Sequence, residues 1–329
     1  MKKVLSILLI VATLLTSISL FSCNDSQAPT NDKGYKIALD LTDEWNNKAS
    51  GTQLVQGCIV VRKAFAEAYP ESVKEFLDEY KSSIEFTNTN PAEAANYIKE
   101  FGIFANNNVA AKAIPNCNIA YMEGQEMKAS MSAFLEAMYS VQPASIGGAL
   151  PGNDFYYTRS TGAGKADNVR VYTLNGTTGF GIAKLMNDNK TTEKYTFSVE
   201  SDPTKIIAGL ANGSIDIAAL PTNAASNVYN KTSGKVQVMA INTLGVLYLL
   251  DKTSQVNSIA DLEGKTIYCP AQNPTFILKY ILKANNINAT IDSTTYATAD
   301  ALRIAVLAGQ VDIAVLPEPM VSIVMASAN

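Results

Sequence analysis

Residues 215–223 read IDIAALPTN, and residues 311–319 read VDIAVLPEP. The likeness extends upstream, where LANGSIDIAALP (210–221) aligns with LAGQVDIAVLP (307–317) and leaves only Asn212 over. Each copy follows a helical run, KIIAGLANG from Lys205 and ALRIAVLAG from Ala301. In each, a glycine (Gly213, Gly309) stands where a helix ends in the left-handed region. A short apolar strand follows, with Asp216 or Asp312 at its start, and proline closes it. Helix, glycine stop, strand and proline-ended lip make half of a parallel α/β unit. Two copies separated by about 100 residues fall outside the usual solenoid periods. The pattern predicts two similar α/β lobes.

The neighbouring segments extend this plan. NVRVYTL (168–174) reads as a strand, followed by a glycine-rich turn into a helix, NGTTGFGIAKLMND. KYTFSVE (194–200) is a strand, and Asp202 with Pro203 caps and starts the next helix. VQVMAINTLGVLYLLD (236–251) supplies strand material running toward a hinge, placed near Thr243 and again at Ser254–Asp261. DLEGKTIYCPAQNPTFILKYILKANN restarts the strand, turn and helix. The first half is more helical. Pro70–Ile84 carries Val73, Phe76, Leu77, Tyr80 and Ile84 on one face. NPAEAANYIKEFG has Asn90 at the N-cap, Pro91 at N1, Glu93 at N3 and Gly102 past the end. YKIALDL (35–41) and TQLVQGCIVVRK (52–63) read as strands.

A chain of 329 residues, 47% apolar and 17% charged, is a folded globular protein with room for two lobes. Its formal charge of −4 leaves no basic footprint for nucleic acid. The chain contains no histidine, which excludes His-activated nucleophiles, His general bases and His metal ligands. No metal or cofactor is expected. The start, MKKVLSILLIVATLLTSISLFSC, has a basic opening, an apolar run from Val4 to about Leu15 and small or polar residues before Cys23. Leu20-Phe21-Ser22-Cys23 resembles a bacterial lipobox, which makes 1–23 a lipoprotein signal with Cys23 the lipidated residue. The polar run 24–34 then reads as a tether. The protein is therefore expected outside the cytoplasm, held to a membrane by lipid. Cys58, Cys117 and Cys269 lie in no CxxC pair; one bridge plus a free thiol, or three buried thiols, both remain open.

The phrases LNGTTGFG, DIAALPTNAASNVYNKTSG, INTLGVLYLL, DLEGKTIYCPAQNPTFILKYIL and VDIAVLPEP together resemble the substrate-binding proteins of bacterial ABC importers. More narrowly, they are similar to the branch related to sulfonate, nitrate and thiamine-precursor binders. TQLVQGCIVVRKAFAEAYPESVKEFLDEYKSSIEF, AKAIPNCNIAY and SIGGALPGNDFYY carry the same resemblance. It implies an α/β fold of the type II periplasmic-binding-protein class. That fold is a two-lobed clamshell, each lobe a mixed sheet flanked by helices, with the ligand cleft between. Residues 35–57 and 251–329 would form one lobe and 58–250 the other. In the family, material like 168–329 precedes material like 35–157; here the blocks are exchanged, with TRSTGAGKADN (158–168) as the join. The order is that of a circular permutant.

Ligands of α/β sheets sit beyond the carboxyl ends of the strands, often at helix N-termini. Four loops qualify. The first is Gly176-Thr177-Thr178-Gly179, whose spacing is neither GxGxxG nor a P-loop, so nucleotide binding is not expected. Its alternative reading is a tight turn. Pro221-Thr222-Asn223 ends the first repeat copy, where Asn223 either caps a helix or offers its amide to ligand. In Ala271-Gln272-Asn273-Pro274-Thr275, Asn273 reads as a cap and Gln272 as the better ligand contact. Glu318 stands between two prolines on the second lip, facing the cleft or solvent. Thr243 joins the site from the hinge. Tyr172, Trp45 and Tyr248 offer stacking faces or belong to the core. No arginine lies in the four loops, so the ligand reads as a donor-bearing heterocycle ahead of a sulfonate.

The function expected is non-catalytic: extracytoplasmic capture of a small molecule and its delivery to an ABC permease, by a monomer. A ligand-sensing or partner-binding lipoprotein without a transporter is the second class. Some relatives of the fold make the thiamine pyrimidine by consuming their own histidine, and a chain without histidine cannot run that chemistry.

Overall fold

The computed structural model describes residues 34–48 and 53–327. The leader 1–23 with Cys23, and the tether as far as residue 33, lie outside the described residues. In chain order the strands are β1 (Lys36–Asp40), β2 (Val55–Arg62), β3 (Ile119–Glu123), β4 (Val169–Leu174), β5 (Tyr195–Glu200) and β6 (Ile217–Pro221). They continue with β7 (Val236–Leu244), β8 (Leu247–Asp251), β9 (Thr266–Tyr268), β10 (Thr290–Asp292) and β11 (Ile313–Pro317). One sheet runs β10-β9-β11-β8-β1, and the other β5-β4-β6-β2-β7-β3.

Both sheets repeat one five-strand plan. The first three strands of each are parallel. The fourth is antiparallel to the third, and the fifth to the fourth. β3 is an extra edge strand on the second sheet. The fourth strand is in each case the one that has crossed over: β2 arrives from β1, and β8 arrives from β7. The fold is mixed α/β, two mixed sheets flanked by helices.

The two repeat copies become β6 and β11, each the third strand of its sheet. The helix Pro203–Asn212 stops at Gly213 with φ +84°, and the helix Ala299–Leu307 is followed by Gly309 at φ +71°. A Cβ costs about 1 kcal/mol in that region, so glycine is the economical stop. The two aspartates diverge. Asp312 is exposed, whereas Asp216 is buried and accepts Arg62 Nη2 at 2.9 Å and Arg170 Nη2 at 2.7 Å. Burial alone would raise the Asp216 pKa, but the Arg170 and Arg62 guanidiniums hold it below the usual carboxylate range.

The run 236–251 is broken by Gly245 and Val246, so β7 and β8 fall in different sheets. Thr243, next to the end of β7, therefore sits beside the crossing. Ser254–Asp261 does not: it follows β8 on the first sheet's side, where Ser258 and Asp261 cap the turn Ile259–Leu262 reciprocally. The helix predicted to end at Ile84 runs on to Thr89, with Thr87 still buried. Asn90 precedes the next helix without capping it; its amide donates back to the Phe86 carbonyl instead.

Apolar side chains from both sheets merge into one shared cluster, and each sheet packs a separate cluster of its own besides. The helix Gly124–Val141 buries Met127, Met131, Phe134, Leu135 and Met138. Trp45, on the helix Leu41–Lys48, lies 5.6 Å from the Phe134 ring and 4.4 Å from the Tyr280 ring. Trp45 is thus a core residue joining the two halves and offers no stacking face to a ligand. Cys58, Cys117 and Cys269 are free, buried thiols. No helix among the described residues is long and apolar enough to cross a membrane.

Candidate ligand-binding site

The parallel strands of both sheets send their carboxyl ends toward the two crossings, and the hydrogen bonds tie the lips to them. Thr222, first residue of the helix Thr222–Lys231, donates its hydroxyl to the Val55 carbonyl at 2.8 Å. The next residue along β2, Gln56, accepts the Val246 N–H at 2.6 Å. The Glu318 N–H in turn donates to the Val246 carbonyl at 2.9 Å. The two lips of the repeat are therefore linked through the start of β2 and the crossing segment. Asn118 closes the same segment from the second sheet, its amide donating to the Gly245 carbonyl at 2.6 Å.

Asn242 organises the first loop. Its amide donates to the Thr178 carbonyl and to the Tyr80 hydroxyl, both at 3.0 Å, and its Oδ1 accepts the Thr243 hydroxyl at 3.1 Å. Gly57 makes this possible. A Cβ there would lie 2.5 Å from Asn242 Oδ1 and 2.9 Å from Thr243 Oγ1, far inside van der Waals contact.

Glu318 is only 3% exposed. Its two oxygens accept the Ser322 N–H and hydroxyl, each at 3.0 Å. Burial pushes its carboxyl up to about 7, and the two Ser322 donors pull it back only in part. Across from it, burial and then the Glu318 charge raise the Cys117 thiol well above its ordinary range. Tyr248 donates its hydroxyl to the Asn116 carbonyl at 3.1 Å. Its pKa is raised by burial first and by Asp40 and Glu318 next. The surroundings are acidic, and no lysine or arginine occurs in 175–179, 221–224, 269–276 or 317–322.

The predicted residues sort as follows. Thr178, Thr222, Thr243 and Glu318 belong to the bonded group around the crossings. Thr177 is half-buried in the short helix Thr177–Phe180, and Gly179 is buried against the Leu174 carbonyl. Asn223 lies inside its helix, so it is not a cap; its amide reaches the Ser145 carbonyl at 3.4 Å and its Oδ1 has no partner among the described residues. The N-cap before Pro274 is Gln272, exposed at φ +70°, and Asn273 is the first residue of its helix, buried, with Oδ1 unpartnered. The cap position therefore falls on Gln272 and not on Asn273, because the backbone enters the helix one residue earlier than the proline implied. Gln56, Gly57, Asn118 and Asn242 were missed in the sequence. Only Gly57 carried a signal, a glycine inside a strand pattern.

Residues 185–327 match the family model described as the phosphonate periplasmic substrate-binding protein of ABC transporters. Residues 25–139 match a family described as menaquinone biosynthesis. Among solved structures, an ABC transporter protein from Parabacteroides distasonis is similar at 23% identity, covering 49% of this chain and 56% of that one, with a TM-score of 0.35. The alkanesulfonate-binding protein SsuA from Xanthomonas axonopodis pv. citri, bound to MOPS, is similar at 17% identity, covering 50% and 58%, with a TM-score of 0.33. The chain spans just over half the length of each of these two structures. No curated protein matches the chain.

Proposed function

We propose that the protein captures a small molecule between two lobes outside the cytoplasm and passes it unchanged to an ABC permease. One observation carries the reading: both repeat lips are bonded to the segments where the chain crosses between sheets, Thr222 to Val55 and Glu318 to Val246. A ligand bridging the lips thereby acts on the hinge, as a population shift between open and closed lobes requires. The match to periplasmic substrate-binding proteins of ABC transporters supports the same class. The proposed lobes are 35–57 with 251–329, and 58–250; the strand memberships favour moving the first boundary to just before Val55 and the second back to Gly245.

Thr177, Thr178, Gly179, Thr222, Asn223, Thr243, Gln272, Asn273 and Glu318 are proposed to face the ligand, a heterocycle, a sulfonate or a similar small molecule. Gln272 holds a backbone conformation that costs a non-glycine residue about 1–3 kcal/mol, and such strain gathers at binding loops. The menaquinone-type match raises the alternative of an enzyme. Against it stand the absence of histidine and a Cys117 thiol driven away from the reactive thiolate. Glu318 meets no basic partner that would make it half of an acid–base pair.

Lipidation at Cys23 would keep this monomer at the membrane beside its permease. The permuted block order is supported by strand equivalence: β1 fills in the first sheet the place β7 fills in the second, yet lies at the opposite end of the chain from β11. A thermal-shift screen of heterocycles, sulfonates, nitrate and amino acids tests capture. A ligand at 100 times its Kd adds about 2.7 kcal/mol of stability. No rise in melting temperature with any class would remove the reading.

A further inference from the structure

Buried polar atoms without a partner gather at the strand ends. The hydroxyl of Thr173 ends β4, Asn223 Oδ1 follows β6 and Asn273 Oδ1 follows β9; none of the three has a hydrogen-bond partner among the described residues. Ser145 joins them from a distant part of the chain. It lies in the turn Pro143–Ile146, is 7% exposed, and its Oγ is equally unpartnered. The Ser145 carbonyl accepts from Asn223, itself 7% exposed, at 3.4 Å. The turn is pinned on the helix Thr222–Lys231 by Ser226 Oγ and Asn230 Nδ2, which donate to the Ile146 carbonyl at 2.9 and 2.8 Å. Two residues with orphaned polar atoms, from segments far apart in sequence, are thus held in contact at the first turn of a ten-residue helix.

A buried polar group left unpaired costs about 1–3 kcal/mol, so a pair of them fixed together needs an explanation. Their chemistry says which. The amide oxygens of Asn223 and Asn273 only accept, and the Glu318 carboxylate accepts further bonds beyond the two from Ser322. The loops that carry these acceptors, 221–224, 269–276 and 317–322, contain no lysine or arginine, and Pro143–Ala149 adds none. We propose that Ser145 and Asn223 form a specificity subsite for a ligand rich in N–H or O–H donors, a neutral or cationic amine-bearing molecule and not a sulfonate or phosphonate. This rests on the capture reading and narrows it. An anion beside Asn223 would meet an amide oxygen, and neither its loop nor Pro143–Ala149 carries a guanidinium or ammonium to offset it.

The test uses thermal shift with two arms, cytosine, ethanolamine and spermidine against methanesulfonate, methylphosphonate and nitrate. A rise with a donor-arm compound, weakened at least tenfold in Ser145→Ala, supports the proposal. The ligand-free melting temperature of Ser145→Ala then equals or exceeds that of the parent, because an orphan has been removed. Asn223→Ala is the second variant: it removes the unpartnered acceptor and weakens donor-arm binding while leaving the fold intact by circular dichroism. A rise confined to the anion arm overturns the donor assignment and leaves capture standing. A ligand-free Ser145→Ala that melts several degrees lower overturns the subsite, since the hydroxyl would then be satisfied within the fold. Silence of both arms counts against capture itself.

Discussion

The Glu318 N–H donates to the Val246 carbonyl at 2.9 Å, which joins the second lip of the repeat to the segment that carries the chain between sheets. Val246 also donates its own N–H to Gln56 at 2.6 Å. On the proposed capture mechanism, a crossing held on both sides would couple Glu318 to the relation between the lobes, because packed interfaces switch between arrangements and do not deform continuously.

Glu318 makes stability depend on pH. Its carboxyl sits near 7 in the fold against about 4.5 when unfolded, so between these values the native state binds more protons than the unfolded chain. The contribution is fully present below about pH 4.5 and is lost as pH rises through 7. Chemical denaturation from pH 4.5 to 8 should show the parent losing on the order of 2–3 kcal/mol relative to Glu318→Gln. Parallel curves for the two proteins would place the carboxylate in water.

Asp216 works in the opposite direction and separates the two repeat copies. Asp216→Asn removes a buried acceptor for two arginines. With the guanidiniums partly exposed, it should destabilise by about 1–3 kcal/mol at pH 7. The loss shrinks as the pH falls toward the lowered Asp216 pKa, where the native carboxylate takes up its proton. Asp312→Asn, at the exposed twin position, should stay within about 0.5 kcal/mol. Equal effects from the two substitutions in urea melts would contradict the burial difference.

Trp45→Ala removes the ring between Phe134 and Tyr280. A loss of about 3–5 kcal/mol is expected, with both halves melting earlier, because the core they share is opened. Hydrogen exchange that rose only around residues 36–48 would argue for two independent cores.

Gly57→Ala places a methyl 2.5 Å from Asn242 Oδ1. Overpacking of this kind costs about 1–3 kcal/mol, and it should break the Asn242 bond to the Thr178 carbonyl, weakening any ligand held by that loop. Full stability in Gly57→Ala would require Asn242 to swing away at no cost.

The repeat made β6, β11 and their proline-ended lips legible, since helix stop and strand start are local signals. The local signals also misled. Asp216 and Asp312 share nearly the same sequence context, yet only Asp216 is met by arginines, which arrive from β2 and β4. Asn242, Gln56 and Ser145 escaped notice because their partners lie far away in the chain: 162 residues for Tyr80, 190 for Val246 and 78 for Asn223. The sequence left Trp45 open between a stacking face and the core, because an aromatic beside a strand reads the same in both.

The central claim is capture without chemistry, and native mass spectrometry of the purified protein tests it most directly. The account predicts one small molecule per chain, released by denaturation with its mass unchanged after prolonged incubation, and bound at least tenfold more weakly by Glu318→Gln. A molecule that returns altered, or binding indifferent to Glu318, would contradict it.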